Sequence, residues 1–200
     1  MGSQLIISVG REFGSGGHVI AEALAKHYDI QFIDHHLMEE VALERNLNYE
    51  ELKEYDEKEK KPIITRRIRG LSNSPEENLA NLQFDYLKKK AARGDSFVIV
   101  GRCSEHVLRE SKAMVSIFVL GDRNCKVKRV MERYNLKESA AIKLMDEKDF
   151  KRKRYHNSHC EGKWGDSRNY DISVNSSKLG IDDTVKMLID YIDMRRGKMD

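Results

Sequence analysis

Short apolar blocks recur along the chain with longer mixed stretches between them. Residues 5–9, 30–34, 97–100, 115–120 and 170–175 are compact apolar runs rich in Ile, Val and Phe. Each has the length of a buried strand, and β-branched residues favour that state. Between them the apolar positions fall at helical spacing. Val19, Ile20, Ala21 and Leu24 follow the first run, and Leu37, Met38, Val41 and Ala42 follow the second. Leu79, Leu82, Phe84 and Leu87 precede the third, Val127, Val130 and Met131 follow the fourth, and Val185, Leu188, Ile189 and Ile192 close the chain. Strands alternating with helices predict an α/β protein, a five-stranded parallel sheet covered on both faces. Ser74-Pro75-Glu76-Glu77 marks one helix start: a cap residue, proline at the first position and acids in the first turn.

One stretch breaks this rhythm. Residues 47–61 are almost entirely charged, with Leu47, Leu52 and Tyr55 as a sparse apolar face, and Pro62 ends them. They predict an exposed helix or an insertion outside the core. Thr65-Arg66-Arg67-Ile68-Arg69-Gly70 follows, either a solvated basic turn or an edge facing phosphate. Two hundred residues suit one domain with a small insertion. With 36 basic and 33 acidic residues the net charge is +3, so bulk charge argues neither for nor against nucleic acid. Cys103, Cys125 and Cys160 form no CxxC pair and read as reduced thiols of a cytoplasmic protein. No apolar run reaches membrane-spanning length and no basic-then-apolar leader is present, so neither a membrane nor export is expected.

The chemistry concentrates after the first strand, in Gly10-Arg11-Glu12-Phe13-Gly14-Ser15-Gly16-Gly17-His18. Strand, glycine loop and helix together can hold a phosphate, because backbone N–H groups line a concavity at a helix N-terminus. The usual phosphate loop, G-x-x-x-x-G-K-[ST], is not met. Five residues separate Gly10 from Gly16, Gly17 takes the lysine position, and no Ser or Thr follows. A plain glycine turn between strand and helix is the alternative.

Three further places bear on the same rim. Asp34 ends the second strand, where α/β proteins bind ligands. His35 and His36 follow it and cannot share one helix face as a metal pair, though either could touch a substrate. Gly101-Arg102 ends the third strand, with an arginine placed to fork onto a phosphate or to join a surface ion pair. Lys148 to His156 is the densest basic segment, with glycines and Trp164 beyond it. It reads as a flap over a polyphosphate, a solvated face or an RNA contact, although no RNA-binding motif accompanies it. Gly10–Gly17, Asp34 and Arg102 are expected to converge on one crevice.

As a set these motifs resemble the bacterial cytidylate kinases, and more closely a divergent branch, the cytidylate kinase-like proteins. The likeness is carried by Gly10-Arg11-Glu12-Phe13-Gly14-Ser15-Gly16-Gly17, Phe32-Ile33-Asp34, Val100-Gly101-Arg102-Cys103, Asp149-Phe150-Lys151-Arg152, Trp164-Gly165-Asp166-Ser167-Arg168-Asn169-Tyr170-Asp171 and Asn175-Ser176-Ser177-Lys178-Leu179. The resemblance implies a P-loop NTPase of the nucleoside monophosphate kinase type. Its core would comprise residues 1–44, 76–147 and 169–200, with an acceptor-binding insertion near 45–75 and a basic lid near 148–168. The implied reaction moves the γ-phosphate of ATP, with Mg²⁺, to CMP or dCMP. By position Gly14, Ser15 and Gly16 would cradle ATP, Asp34 would sit beside the acceptor, Arg102 would bind its phosphate, and Arg152 would meet the transferring group. No protein metal ligand is implied, and the partners are small nucleotides.

The departures from the kinases proper are equally specific. Gly17-His18-Val19 stands for Lys-Gly-Thr, Cys103 for the aspartate after Gly-Arg, and His35, His36 and Glu40 for threonine, glycine and arginine. Arg11, permanently charged and inside the loop, is the candidate replacement for the lysine. The alternative function is a nucleotide- or anion-binding protein of the same fold that has lost catalysis, or a kinase for another small acceptor.

Overall fold

The computed structural model describes residues 4–34, 37–45, 48, 50 and 75–198. Five strands form the sheet: β1 (Ile6–Arg11), β2 (Gln31–Ile33), β3 (Phe97–Val100), β4 (Met114–Leu120) and β5 (Ile172–Asn175). The helices are α1 (Gly17–Tyr28), α2 (Leu37–Arg45), α3 (Pro75–Ala92), α4 (Ser104–Val107), α5 (Arg123–Tyr134), α6 (Glu138–His159), α7 (Ser176–Leu179) and α8 (Ile181–Arg196). The strands are all parallel in the order β2-β3-β1-β4-β5. β1 is thus central, flanked by strands that come later in the chain. The crevice beyond its carboxyl end is the topological switch point where such sheets take their ligands.

Alternation along each strand divides the core. Ile7, Val9, Val98, Val100, Val115, Ile117 and Val119 face α1 and α8, meeting Ile20, Leu24, Leu188 and Ile192. Ile6, Ile33, Phe97 and Ile99 face the other way, against Leu37 and Val41 of α2, Leu87 of α3 and Tyr155 of α6. Burial on both faces is why the inner strands β1, β3 and β4 read as nearly unbroken apolar runs, while the edge strands β2 and β5 expose Gln31 and Ser173. A smaller cluster of Val127, Val130, Ala141 and Met145 joins α5 to α6 and packs against Phe13 of the glycine loop.

Several boundaries move from the sequence expectation. β1 runs on through Gly10 to Arg11, and α1 begins at Gly17, so the loop between them is shorter than its glycines suggest. Asp122 precedes α5 but does not cap it with its side chain, which goes instead to Asn175 Nδ2 (2.8 Å) and Lys178 Nζ (2.8 Å). The basic segment 148–156 is the second half of the single helix α6. Phe150 there is exposed, but Tyr155 is buried, because this turn of α6 packs on the sheet. His35, His36, the arginines at 66, 67 and 69, and most of the expected insertion at 45–75 lie outside the described residues. Among the described residues no helix is long and apolar enough to cross a membrane.

Candidate phosphate-binding site

The loop leaves β1 at Arg11. Gly14 and Gly16 take φ of +80° and +82°, and Gly16 leads into α1 from that left-handed conformation. Ser15 is fully buried. Its hydroxyl donates to the Glu12 carbonyl (2.8 Å) and accepts from the Gly17 N–H (3.3 Å). The Ser15 side chain therefore holds the loop's shape, leaving its backbone as the part available to a phosphate. On the outer side Glu12 Oε2 accepts from Gly121 N–H (3.1 Å) and Lys126 Nζ (2.9 Å). Asp149 Oδ1 accepts from Phe13 N–H (2.6 Å), and Lys126 lies 3.8 Å from its second oxygen. Burial pushes the Asp149 carboxyl up from its usual range. Arg129 Nη1 donates to the Ser15 carbonyl (3.1 Å) and to Ser176 Oγ (3.2 Å), closing the loop from the α5 side. The loop is thus fastened from outside by both signs of charge.

Inside, Arg11 occupies the space that a side chain at the lysine position would need. A Cβ on Gly17 would lie 2.6 Å from Arg11 Cβ and 3.2 Å from Val119 Cβ. The Arg11 side chain then reaches across to β3, where a Cβ on Gly101 would run into Arg11 Nη1. The end of β3 is itself strained: Gly101, Arg102 and Cys103 have φ of +75°, +58° and +54°. Non-glycine residues in that region cost about 1–3 kcal/mol each and gather at functional sites. A buried Ser8 Oγ–Ser104 Oγ hydrogen bond (2.7 Å) pins the turn to β1. Arg102 is 6 % exposed at this turn.

Arg152 comes from α6. Its Nη1 lies 3.4 Å from the Arg11 carbonyl oxygen and 3.6 Å from Asp149 Oδ1, and its guanidinium sits 5.3 Å from the Phe13 ring centre. Arg11 and Arg152 divide two hollows. One, about 320 Å³, opens over the glycine loop and is walled by Phe13, His18, Arg129, Arg133 and Tyr134. The other is a cleft of about 30 Å³ between Gly10, Gly101, Arg102, Lys151, Trp164 and Tyr170. As it stands it holds little more than one water molecule.

The three arginines singled out in the sequence therefore meet, and Gly10 and the loop meet them. Asp34 is held elsewhere: its Oδ2 is 2.7 Å from His18 Nε2, in the first turn of α1, and it lines neither hollow. Among the described residues the expected crevice is thus built from β1, β3 and α6, with Asp34 joined to its edge through His18. Sequence reading missed Arg129, Arg133 and Tyr134. Their signal was modest, polar positions interleaved with the apolar face of α5. It also missed Glu105 and His156, which line the small cleft with Nε2 and Oε1 2.6 Å apart. Burial works to lower His156, but the neighbouring Cys160 thiol and the hydrogen-bonded Glu105 carboxylate outweigh it and raise His156 to about 10. The hydrogen bond from Cys103, helped by His156, brings Cys160 down to about 7, and Cys103 itself is raised.

A glycine loop at the switch point of a parallel sheet, closed over by an arginine-bearing helix, defines a P-loop kinase fold. Shikimate kinase from Bacteroides thetaiotaomicron shares it, with a TM-score of 0.56 over 94 % of this chain and 98 % of that one at 13 % identity. The chain belongs to the cytidylate kinase-like family, whose model matches residues 6–178. An uncharacterized protein from Eubacterium ventriosum ATCC 27560 is 41 % identical and superposes with a TM-score of 0.76, covering 95 % of this chain and 99 % of that one. A cytidylate kinase from Pyrococcus horikoshii is 26 % identical over 195 residues, 95 % of this chain and 91 % of that protein. Family and fold are those of a nucleotide or small-molecule kinase.

Proposed function

We propose that the protein transfers the γ-phosphate of ATP to a nucleoside monophosphate, CMP or dCMP first among them. The observation that carries this is the meeting of Arg11, Arg102 and Arg152 between the glycine loop and the cleft beyond β3. Phosphoryl transfer asks little covalent chemistry of a protein and much positioning and charge neutralisation. ATP phosphates lie along the loop backbone, with the planar base toward Phe13 and Tyr134, whose rings stack at 5.8 Å. Arg11 takes over the charge of the missing lysine, Arg102 forks onto the acceptor phosphate, and Arg152 meets the transferring group. Val19 stands where a Mg²⁺-binding hydroxyl is usual, so Mg²⁺ would have to be held by ATP phosphate oxygens and water, a common arrangement for that ion, and would supply charge neutralisation.

The test is an ADP-release screen over nucleoside monophosphates with the wild type and single arginine variants. CMP or dCMP should give turnover. Arg152→Ala should lower kcat by roughly 10³-fold, as loss of such an arginine does elsewhere. Arg11→Ala should weaken ATP binding by roughly 10–100-fold, the worth of a charged hydrogen bond of about 1.5–3 kcal/mol. Arg102→Ala should raise the acceptor KM. The absent lysine and hydroxyl favour a second reading, a nucleotide-binding protein without turnover. ATP binding by thermal shift with no ADP formed across the whole panel would establish that reading and reject the first.

A further inference from the structure

In the wall of the small cleft, and continuing behind it, lies a buried group of side chains given no role in the phosphoryl transfer proposed above. Glu105 of α4, His156 near the end of α6 and Cys160 just past it each bring one donor atom to a common point. Those atoms all lie within 4.8 Å of one another. Glu105 and His156 are 6 % and 5 % exposed, so the cluster is built into the protein rather than scattered over its surface. Cys103 and Cys160 pack in the same apolar cluster beside it.

We propose that Glu105, His156 and Cys160 form a divalent transition-metal site, with zinc the ion their mixed O, N and S donors suit. Hard ions such as Mg²⁺ and Ca²⁺ ask for oxygen alone, whereas thiolate with imidazole selects zinc. The distances agree with a small contraction. Three ligands bound tetrahedrally at zinc bond lengths are roughly 3.3–3.6 Å apart. The Nε2–Oε1 separation of 2.6 Å would open by less than about 1 Å, and the widest gap would close by a little more. The other imidazole nitrogen, Nδ1, lies 3.3 Å from Asn157 Oδ1. An Nδ1–H donating its hydrogen bond to that amide oxygen leaves the Nε2 lone pair for the metal and fixes the ring plane.

The fourth position faces an adjoining hollow of about 250 Å³, lined by Glu105, His156 and Cys160 together with Arg109, Glu161 and Asn169. That hollow is the path for the ion and leaves room for a water or an exogenous donor. An ion here clamps α4, which follows the turn bearing Arg102, to the end of α6, which bears Arg152. It is therefore a means of setting the spacing of the two arginines without touching substrate.

Chelator-treated full-length protein is titrated with Zn²⁺ under native mass spectrometry, and in parallel with Co²⁺ followed by visible absorption. The wild type and Cys125→Ser, whose cysteine lies away on α5, should each retain one zinc ion. Cys160→Ser and His156→Gln should retain none, with their far-ultraviolet circular dichroism unchanged. Asn157→Ala should weaken the metal by roughly 10–100-fold, the usual effect of removing such a support. Co²⁺ on the wild type should give a thiolate-to-cobalt charge-transfer band, a readout that does not depend on how the variants fold. A wild type that holds no zinc after desalting, zinc retained equally by Cys160→Ser, or a cobalt spectrum without the sulfur band would each overturn the assignment. None of these readouts depends on kinase activity.

Discussion

Alanine at Gly17 probes why this loop has no lysine. Gly17 is the first residue of α1, and its backbone lies outside the left-handed region, so conformation alone would welcome a side chain there. In an ordinary helix, alanine for glycine stabilises by about 0.5–1 kcal/mol. Here the new Cβ would sit 2.6 Å from Arg11 Cβ and 3.2 Å from Val119 Cβ, both rigidly tied to strands. Neither neighbour is the movable end of a side chain, so β1 or α1 must shift. Inserting a carbon into such packing costs about 1–3 kcal/mol. The expected net is a destabilisation of about 1–2 kcal/mol by urea denaturation, with a fall in Tm of roughly 2–8 °C for a chain of this size. The obstacle is a Cβ, so the background decides the sign. Gly17→Ala should remain destabilising in Arg11→Ala, which keeps that carbon, and lose most of its penalty in Arg11→Gly. A Gly17→Ala protein as stable as the wild type, or an equal penalty in both backgrounds, would refute the claim that Arg11 excludes a side chain at position 17.

Other expectations follow from the same geometry. Gly101→Ala should destabilise by roughly 1–3 kcal/mol, because φ is +75° and the added carbon meets Arg11 Nη1. It should also weaken ATP binding in the same direction as Arg11→Ala, measured by calorimetry, and unaltered affinity would disconnect Gly101 from the arginine. Asp149→Asn leaves Lys126 with one carboxylate partner fewer and gives the Phe13 N–H a weaker acceptor. A loss of about 1–3 kcal/mol is expected in urea denaturation. Asp34→Ala removes the anchor of His18. If Asp34 serves the site through His18, alanine at either position should change ATP affinity alike and the double variant should add little. Full additivity would separate them.

Much of this architecture is legible in the chain, for a definite reason. Strands buried on both faces must be apolar throughout, so β1, β3 and β4 stand out, while the edge strands β2 and β5 keep exposed Gln31 and Ser173 between their apolar positions. The register of Val9 beside Val100 and Ile117 aligns the inner strands' carboxyl ends. Gly10 to His18, Arg102 and Arg152 could be found because each follows a strand end or sits in a dense basic run. What could not be read depends on contacts between distant segments. Nothing local to Ser15 says that its hydroxyl turns inward to Glu12. Nothing local to Asp34 says that His18 takes it. Tyr155 and His156 sit among lysines and arginines, and only the placement of α6 against the sheet reveals them as interior residues. The left-handed backbone at Arg102 and Cys103 is likewise invisible, since neither residue type advertises it.

The continuity of α6 has a mechanical corollary. Arg152 and His156 are one helical turn apart on a single rod, with Tyr155 wedged beside them against the sheet. If the proposed acceptor enters the cleft by an outward swing of that rod, the swing cannot spare its inner residues. Each opening would have to unplug Tyr155 from its apolar seat and pull His156 away from Glu105. Such an opening and the integrity of that hidden pair would therefore be two ends of one lever.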